Sequence, residues 1–408
     1  MSASAVILRD FLLLALLLSC TLYKDVDCAK WKLLSFGDSG SGAFTLSQTL
    51  ADDAKFTKVA SAFSSTLLYT FGGESEGHYS GDLKSFDPGK KRWTTITGTG
   101  DIPSHRAGAT LTKIASGLYL IGGHNYHDII TNKWHKVLLP DDFKFTSRSG
   151  HAACTDGQNR IFVFGGYNDE GLFLNDLYEI SFSISSDPTA DSDSTEITAS
   201  FKLLSADLTS RLVNPPPKEF ASMEMVDGRL HLYGGHTYGG SSDDMWMFDL
   251  KDSRWTMVES QLSPPPCEGI SSMTMGRSIF YFGGCDSSYS ANRCFSDFWR
   301  YDTTSSKWSI IPTADVKPSG RAFAAMGFLN NGIVVHGGSK MDKRIFGETY
   351  HLVELPRCKD AEHTCLGRGK CYASSCFCTA GYDGHDCSIT VMSDAPARPS
   401  HGDMHTEM

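Results

Sequence analysis

The sequence predicts an all-β protein built from six copies of one repeat, followed by a small disulfide-rich module. Three observations lead to this prediction. Six short apolar runs each end in a pair of glycines, a strand pattern with Trp recurs after most of these pairs, and six of the 12 cysteines are crowded near the C-terminus. Frequent glycine and aromatic residues favour strands and tight turns over helices.

Length and charge limit the classes of function. The chain has 408 residues, 40% of them hydrophobic, which is enough apolar sequence to bury a large core. The formal net charge is −10. This acidity argues against a nucleic-acid partner, because nucleic-acid binding usually requires a basic face.

The first residues predict a secreted protein. Residues 11–23 form an uncharged apolar run that follows Arg9 and Asp10. The run is too short to cross a bilayer, which requires about 20 residues. A signal peptide within residues 1–23 fits it better, although the sequence does not define the cleavage position. No second long apolar run follows, so we expect no transmembrane segment after leader removal and an extracellular location, which agrees with the cysteine content.

The six glycine pairs mark the repeat. Each pair follows an apolar run typical of a strand buried on both faces, and glycine allows the sharp exit with positive φ that the chain then needs. An acidic residue opens the next strand, and a basic residue followed by Trp opens the strand after it. The apolar runs with their glycines are 67–73, 118–123, 161–166, 230–235, 279–284 and 333–338.

The other parts of the repeat recur in a constant order. The third strands are predicted at 81–87, 175–181, 243–249, 296–302 and 347–353, and the Trp strands at 91–96, 132–137, 253–258 and 306–311. An Arg precedes the next inner strand in 104–109, 147–152 and 319–324. This combination resembles the kelch repeat over residues 28–356. The resemblance implies a six-bladed β-propeller with a four-stranded blade for each repeat.

Several repeats depart from this pattern. Lys218 and Glu268 stand where other repeats carry Arg, Phe201 replaces Trp, and the second repeat is short. The stretch from Ser183 to Ser200 is rich in Ser and Asp, and we expect it to be a solvated, disordered loop between outer strands of the third blade.

The last repeat lacks a Trp strand of its own. It stops at Pro356, and a matching segment, CAKWKLLSF, lies at the other end of the chain over residues 28–36. We expect Trp31, Leu33 and Leu34 to supply the missing strand. Closing the last blade in this way removes an exposed sheet edge.

The cysteines of residues 358–387 predict a disulfide framework. The run CFCTAGYDGHDC (376–387) resembles the end of an epidermal-growth-factor-like (EGF-like) module. This resemblance implies the pairings Cys358–Cys371, Cys365–Cys376 and Cys378–Cys387. So small a unit depends on its disulfides for stability. Residues 388–408 are polar and are predicted to be a disordered tail.

Five further cysteines lie from residue 28 to the end of the repeats. Cys285 and Cys294 flank a short loop, and a disulfide between them is predicted. A Cys267–Cys285 pairing is the alternative, because both residues should lie on one face of the ring. Cys154 in an inner strand has the pattern of a small buried hydrophobe. The sequence does not assign partners to Cys28, Cys154 or Cys267.

The predicted binding surface is the face that carries the loops after the glycine pairs. Binding residues commonly lie on loops that a rigid scaffold positions. Tyr and His are also common in exposed loops without any function, so each residue has this alternative interpretation. The candidate contacts are His78, Tyr79, His124, Tyr126, His127, Tyr167, Tyr238, Tyr289 and Arg344.

The sequence favours binding over catalysis. No carboxylate or thiolate lies at a ligand spacing beside the histidines of 124–127, so we predict no metal site and no cofactor. The combination of modules resembles that of attractin-like surface proteins. It implies a non-catalytic interaction protein whose loops and EGF-like module bind an extracellular protein or glycan. A copper-radical oxidase similar to galactose oxidase is the alternative. The sequence carries no signal for the oligomeric state.

Overall fold

Sheets of mainly antiparallel strands form the described part of the chain, with two parallel pairs at their edges. The computed structural model of the protein describes residues 29–34, 56–115, 117–122, 125–128, 133–137, 145–186, 195–205, 214–288, 293–311, 313–314, 317–329, 332–354, 369–372, 375–378, 382–383 and 389–390. The predicted signal peptide, residues 1–23, lies outside these ranges. Within them, no helix has the length and apolar character needed to span a membrane.

The repeats form six sheets of four or five strands, called blades one to six in chain order. Blade one contains Ala60–Phe63, Leu68–Phe71, Leu83–Asp87 and Arg92–Ile96. Blade two contains Thr110–Ile114, Gly117–Ile121, Asn125–Asp128 and Lys133–Lys136, with Thr99–Gly100 added at its edge. Blade three contains Ala152–Thr155, Arg160–Asn168, Phe173–Ser186 and Thr195–Ser205, together with Arg148–Ser149.

The other three blades follow the same order. Blade four contains Ser222–Val226, Arg229–Tyr233, Met245–Asp249 and Arg254–Met257. Blade five contains Ser271–Met275, Ser278–Phe282, Phe298–Asp302 and Lys307–Ile310. Blade six contains Ala325–Leu329, Gly332–His336 and Thr349–Glu354, then Ala29–Leu34 and Thr313–Ala314.

The N-terminal strand belongs to the last blade. Ala29–Leu34 pairs antiparallel with Thr349–Glu354, and Trp31 is opposite Leu352 while Leu34 is opposite Thr349. For this strand the structure describes the backbone pairing and not the side chains. The pairing gives blade six a fourth strand, so the two ends of the repeat region share one sheet.

The first strands of the blades surround a central channel. Each contacts the first strands of its two neighbours, and those of blades one and six contact each other. A residue with positive φ precedes each first strand, and backbone hydrogen bonds of 2.7–3.1 Å link five of the six successive pairs. These inner-turn residues are Lys58, Gly108, Gly150, Phe220, Gly269 and Phe323.

The core lies between neighbouring blades. Each of the six blade interfaces contains its own cluster of buried apolar side chains, including the one between blades six and one. The Trp that recurs in the outer strands contributes to these clusters. In four blades the Trp ring packs on the residue that precedes the glycine pair of the blade before it. These contacts are Trp134 with Phe71, Trp255 with Phe164, Trp308 with Tyr233, and Trp93 with His336, at centroid distances of 4.7–5.5 Å.

A buried basic residue explains the repeated Arg. The Arg148 guanidinium donates to the Gly165 carbonyl at 3.0 Å and pairs with Asp176 at 2.6 Å. Lys218 makes the equivalent contacts with Gly234 and Asp244. The basic residue, the glycine pair and the acidic residue of one repeat are therefore a single hydrogen-bonded unit, which keeps the buried charge paired.

Blade five has no basic residue in this hydrogen-bonded unit, and the residue that replaces Arg is not the predicted one, Glu268. Cys267, not Glu268, occupies the position of the Arg, because its carbonyl accepts from Gly235 as the Arg321 carbonyl accepts from Gly284. Cys267 is a buried free thiol, and Cys285 is bonded to Cys294. Glu268 lies one residue later, beside the channel.

The predicted loop Ser183–Ser200 is mostly strand, so that prediction was wrong. Ser183–Ser186 pair with Thr195–Thr198, which extends blade three outward. Phe182, Ile197 and Ala199 are buried in the cluster that blade three shares with blade two. The short second repeat leaves an apolar surface of blade two uncovered, and the long hairpin of blade three packs over it. Residues 187–194 lie outside the description.

The C-terminal region contains two short strand pairs. Gly369–Tyr372 pairs with Ser375–Cys378, and Tyr382–Asp383 pairs with Ile389–Thr390. Ile389 and Thr390 thus form a strand inside the segment predicted as a disordered tail. The predicted EGF-like disulfides among Cys358, Cys365, Cys371, Cys376, Cys378 and Cys387 lie outside the side chains that the structure describes.

The glycine pairs provide a direct test of this packing. A Cβ at Gly283 (φ +78°) would lie 2.3 Å from the Arg321 carbonyl oxygen, whereas a Cβ at Gly228 (φ +74°) would meet nothing within 4 Å. Both substitutions by Ala carry the left-handed strain of about 1–2 kcal/mol. We expect Gly283→Ala to lower the free energy of unfolding, measured in urea, by about 1–3 kcal/mol more than Gly228→Ala does, because the backbone around Gly283 must shift. Equal losses for Gly228→Ala and Gly283→Ala would contradict the close approach.

Candidate binding surface

Short hairpins follow the glycine pairs of several blades. Glu74–Ser75 pairs with His78–Tyr79, His236–Thr237 pairs with Gly240–Ser241, and Cys285–Asp286 pairs with Arg293–Cys294. In blade three the two long strands continue through the glycine pair, so that Tyr167 is opposite Phe173. These segments lie on the face of the ring that carries the inner-turn residues, called here the loop face.

The turn of blade three is held by one buried side chain. Asn168 is 6% exposed, and its Oδ1 accepts hydrogen bonds from the backbone N–H groups of Glu170 and Leu172 at 3.1 and 2.9 Å. Such side chain to backbone bonds fix a tight turn. The neighbouring Tyr167 and Leu172 are therefore presented from a well-defined backbone.

Aromatic side chains connect blades three and four on this face. The Phe173 ring lies 5.4 Å from that of Tyr167 and 4.6 Å from that of Tyr238, and the Phe173 backbone N–H donates to the Tyr238 hydroxyl at 3.1 Å. Tyr238 is 68% exposed, Leu172 48% and Tyr167 40%. We call Tyr167, Leu172, Phe173 and Tyr238 the aromatic patch. It is an exposed apolar surface with defined geometry.

Hydrogen bonds tie blade four to blade five beside this patch. The backbone N–H of Ser241 donates to the Ser288 hydroxyl at 3.0 Å, and the hydroxyls of Ser241 and Ser287 are 3.1 Å apart. The Cys285–Cys294 disulfide closes the hairpin of blade five. The loops of three consecutive blades are thus linked into one surface.

Acidic side chains lie between the patch and the channel. His236 Nδ1 is 3.0 Å from a carboxylate oxygen of Glu268. Burial raises the pKa of Glu268, and the nearby His236 opposes the increase. Burial likewise raises the pKa of Glu219 to about 7, with Lys58 opposing the increase and Glu268 adding to it. Near neutral pH the Glu219 carboxyl group is therefore only partly ionised.

Two phenylalanines and a lysine narrow the entrance of the channel. The rings of Phe220 and Phe323 meet edge to face at 4.9 Å, and the Lys58 ammonium lies 5.0 and 5.5 Å from their centroids. A cavity of about 160 Å³ remains among the inner-turn residues. Both phenylalanines have positive φ, which is an unfavourable conformation for a bulky residue.

The structure brings together only some of the predicted contacts. Tyr167 and Tyr238 meet through Phe173, whereas the exposed His78, Tyr79 and Arg344 lie on blades one and six. Tyr126 and His127 were predicted to lie in a loop. They lie instead in the strand Asn125–Asp128, which follows the glycine pair of blade two almost directly. His124 and Tyr289 lie outside the described residues.

Leu172 and Phe173 were missed by the sequence analysis. Their signal is a pair of apolar residues directly after the turn sequence Asn-Asp-Glu-Gly, where a solvated loop would carry polar residues.

The oxidase alternative depends on a group of side chains that could bind copper. Among the residues that the structure describes, no three or more His, Cys, Asp or Glu side chains are grouped as a metal site requires.

Comparisons with known proteins agree with this architecture. Residues 124–338 match the model of the KLHDC2/KLHL20/DRC7 Kelch-repeats domain. The chain is 23% identical to Kelch domain-containing protein 3 of Bos taurus, over 70% of this chain and 78% of the bovine protein. It is 25% identical to N-(sulfonatooxy)prop-2-enimidothioate sulfolyase of Thlaspi arvense, over 69% of this chain and 88% of the plant protein.

A third relative is much longer than this chain. The Leucine-zipper-like transcriptional regulator 1 homolog of Drosophila melanogaster is 23% identical over 71% of this chain, and the match spans 30% of the fly protein.

Proposed function

Because this chain belongs to the kelch-repeat family, we propose that it is a secreted, non-catalytic interaction protein whose loop face docks a partner protein outside the cell. In this proposal the chain is a six-bladed propeller closed by its N-terminal strand, and it carries a C-terminal EGF-like module. The observation that carries the proposal is the aromatic patch. Exposed Tyr side chains on hydrogen-bonded turns, here packed against the partly buried Phe173, are typical anchors of protein interfaces.

Rigid presentation supports docking over chemistry. The loops of blades three, four and five are connected by the Phe173 contacts and by the serine hydrogen bonds of Ser241. A surface that is already ordered loses little conformational entropy when a partner binds. The apolar run of residues 11–23 and the Cys285–Cys294 disulfide support secretion into an oxidising compartment.

The test is capture of partners by the secreted full-length chain and by two variants. A loop-face variant carries Tyr79→Ala, Tyr238→Ala and Arg344→Ala, and a control carries Leu203→Ala and Met257→Ala, two residues that are 50% and 53% exposed on outer strands. We expect the control to bind extracellular protein as the unmodified chain does, and the loop-face variant to bind at least about tenfold more weakly. Equal binding by all three proteins would contradict the proposal.

A further inference from the structure

The aromatic patch is accompanied by acidic residues and no basic ones. The segments 167–173 and 236–243 contain Asp169, Glu170 and Asp243 and neither Lys nor Arg. Asp169 and Glu170 are exposed beside Tyr167, and Asp243 is half-buried. The surface around the exposed rings is therefore negatively charged.

The cations beneath this surface do not neutralise it. Arg148 and Lys218 have fully buried side chains, and they are paired with Asp176 and Asp244. Lys58 lies over the rings of Phe220 and Phe323 at the channel entrance, near the carboxyl groups of Glu219 and Glu268. The Arg106 guanidinium donates to the Gly122 carbonyl of blade two. Within the described segments 167–173 and 236–243, the exposed charges are those of Asp169 and Glu170.

Space for a side chain adjoins the exposed rings. A cavity of about 550 Å³ between blades two and three is lined by Tyr167, Asp169, Phe145 and Ser147, and also by Arg148, whose charge is paired with Asp176. The Ser147 hydroxyl donates to the Asp169 carboxylate, which holds this carboxylate at the rim of the cavity. An aromatic face, a carboxylate and an adjoining cavity together suit a long cationic side chain.

We propose that the aromatic patch docks a basic segment of the partner protein, with Arg or Lys side chains over Tyr167 and Tyr238 and paired with Asp169 and Glu170. The proposal rests on the function proposed for the loop face and names the chemistry of its partner. Arg suits the site best, because its planar guanidinium stacks on aromatic rings and binds carboxylates with two hydrogen bonds.

A peptide selection tests this chemistry without a known partner. The probe is a display library of random peptides of about twelve residues, a length that spans an extended recognition segment, selected on the full-length chain. We expect the selected peptides to be enriched in Arg and Lys. For them, Tyr167→Ala and Tyr238→Ala should each weaken binding by roughly tenfold or more. Asp169→Asn with Glu170→Gln should weaken binding and reduce its dependence on salt.

Met257→Ala is the control, because Met257 is a 53% exposed apolar residue on the outer strand Arg254–Met257 of blade four, away from the loop face. It should leave the binding of the selected peptides unchanged. Thermal unfolding of each variant checks that these exposed substitutions leave the fold intact.

Three results would overturn the inference: no enriched peptides, enrichment of neutral or acidic peptides, or basic peptides whose binding ignores Tyr167 and Tyr238. If the selected peptides respond instead to Tyr79 or Arg344, the loop face still binds and only the assignment to this patch is wrong. If partner capture ignores every loop-face substitution, the proposed function itself is wrong.

Discussion

Deletion of residues 28–36 is expected to abolish the cooperative unfolding of the propeller. The deletion removes Ala29–Leu34, the strand that pairs along Thr349–Glu354, and leaves that strand as an open sheet edge. The buried Leu352 belongs to the cluster between blades five and six, so the loss reaches the core as well. Because domains are stable by only about 5–15 kcal/mol, loss of one strand of the closing blade should remove most of this free energy.

The measurement is thermal unfolding followed by circular dichroism, together with size-exclusion chromatography for aggregation through the open edge. Deletion of residues 391–408 is the control, because it removes sequence beyond the last described strand and should leave the melting temperature of the propeller unchanged. A synthetic peptide of residues 28–36 should partly restore the transition by adding the strand back. A truncated chain that melts like the intact one would show that this pairing does not hold the ring together.

The strands and their order could be predicted from the sequence because each repeat solves the same packing problem. A second strand buried on both faces must be apolar throughout, and the exit beside the next blade admits no Cβ at Gly283. The basic and acidic residues that flank the glycine pair recur because they bind each other, as Arg148 binds Asp176. Local constraints of this kind leave a periodic trace in the sequence.

Features that depend on neighbouring blades left no such trace. The alternation of Phe182, Ile197 and Ala199 with polar residues has meaning only because blade two is short and exposes an apolar surface beside them. The replacement of Arg by Cys267 was misplaced by one residue, since only the backbone hydrogen bonds define the alignment. Tyr167 and Tyr238 were selected as separate loop residues, and their contact through Phe173 depends on the relative position of two blades.

A buried histidine should make the propeller sensitive to acid. Burial lowers the pKa of His336 from its ordinary value of 6.5 to about 3, and the Arg321 guanidinium contributes. Between these two values the unfolded chain binds a proton that the folded chain does not. The free energy of unfolding should therefore fall as the pH decreases below 6.5, by up to about 1.4 kcal/mol per pH unit for this group. Its contribution is fully present above pH 6.5 and is lost as the pH approaches about 3.

The contribution of His336 can be isolated with His336→Asn, whose side chain can keep a hydrogen bond to the Thr349 hydroxyl that now lies 2.8 Å from His336 Nδ1. Urea unfolding at pH 6.5 and pH 5 should show a smaller loss of stability for His336→Asn than for the unmodified chain, by about 1.5–2 kcal/mol. His78→Gln, on an exposed hairpin, should lose as much stability between pH 6.5 and pH 5 as the unmodified chain does.

His231→Gln should behave like His336→Asn, because burial lowers the pKa of His231 to about 4, with Arg229 contributing and Asp227 opposing. Glu219 acts in the opposite direction, since its raised pKa makes the folded state bind more protons than the unfolded state between about pH 4.5 and 7. The contradicting result is a His336→Asn variant that loses as much stability between pH 6.5 and pH 5 as the unmodified chain. His336 would then be accessible to protons in the folded state, and the buried interface between blades one and six would be wrong.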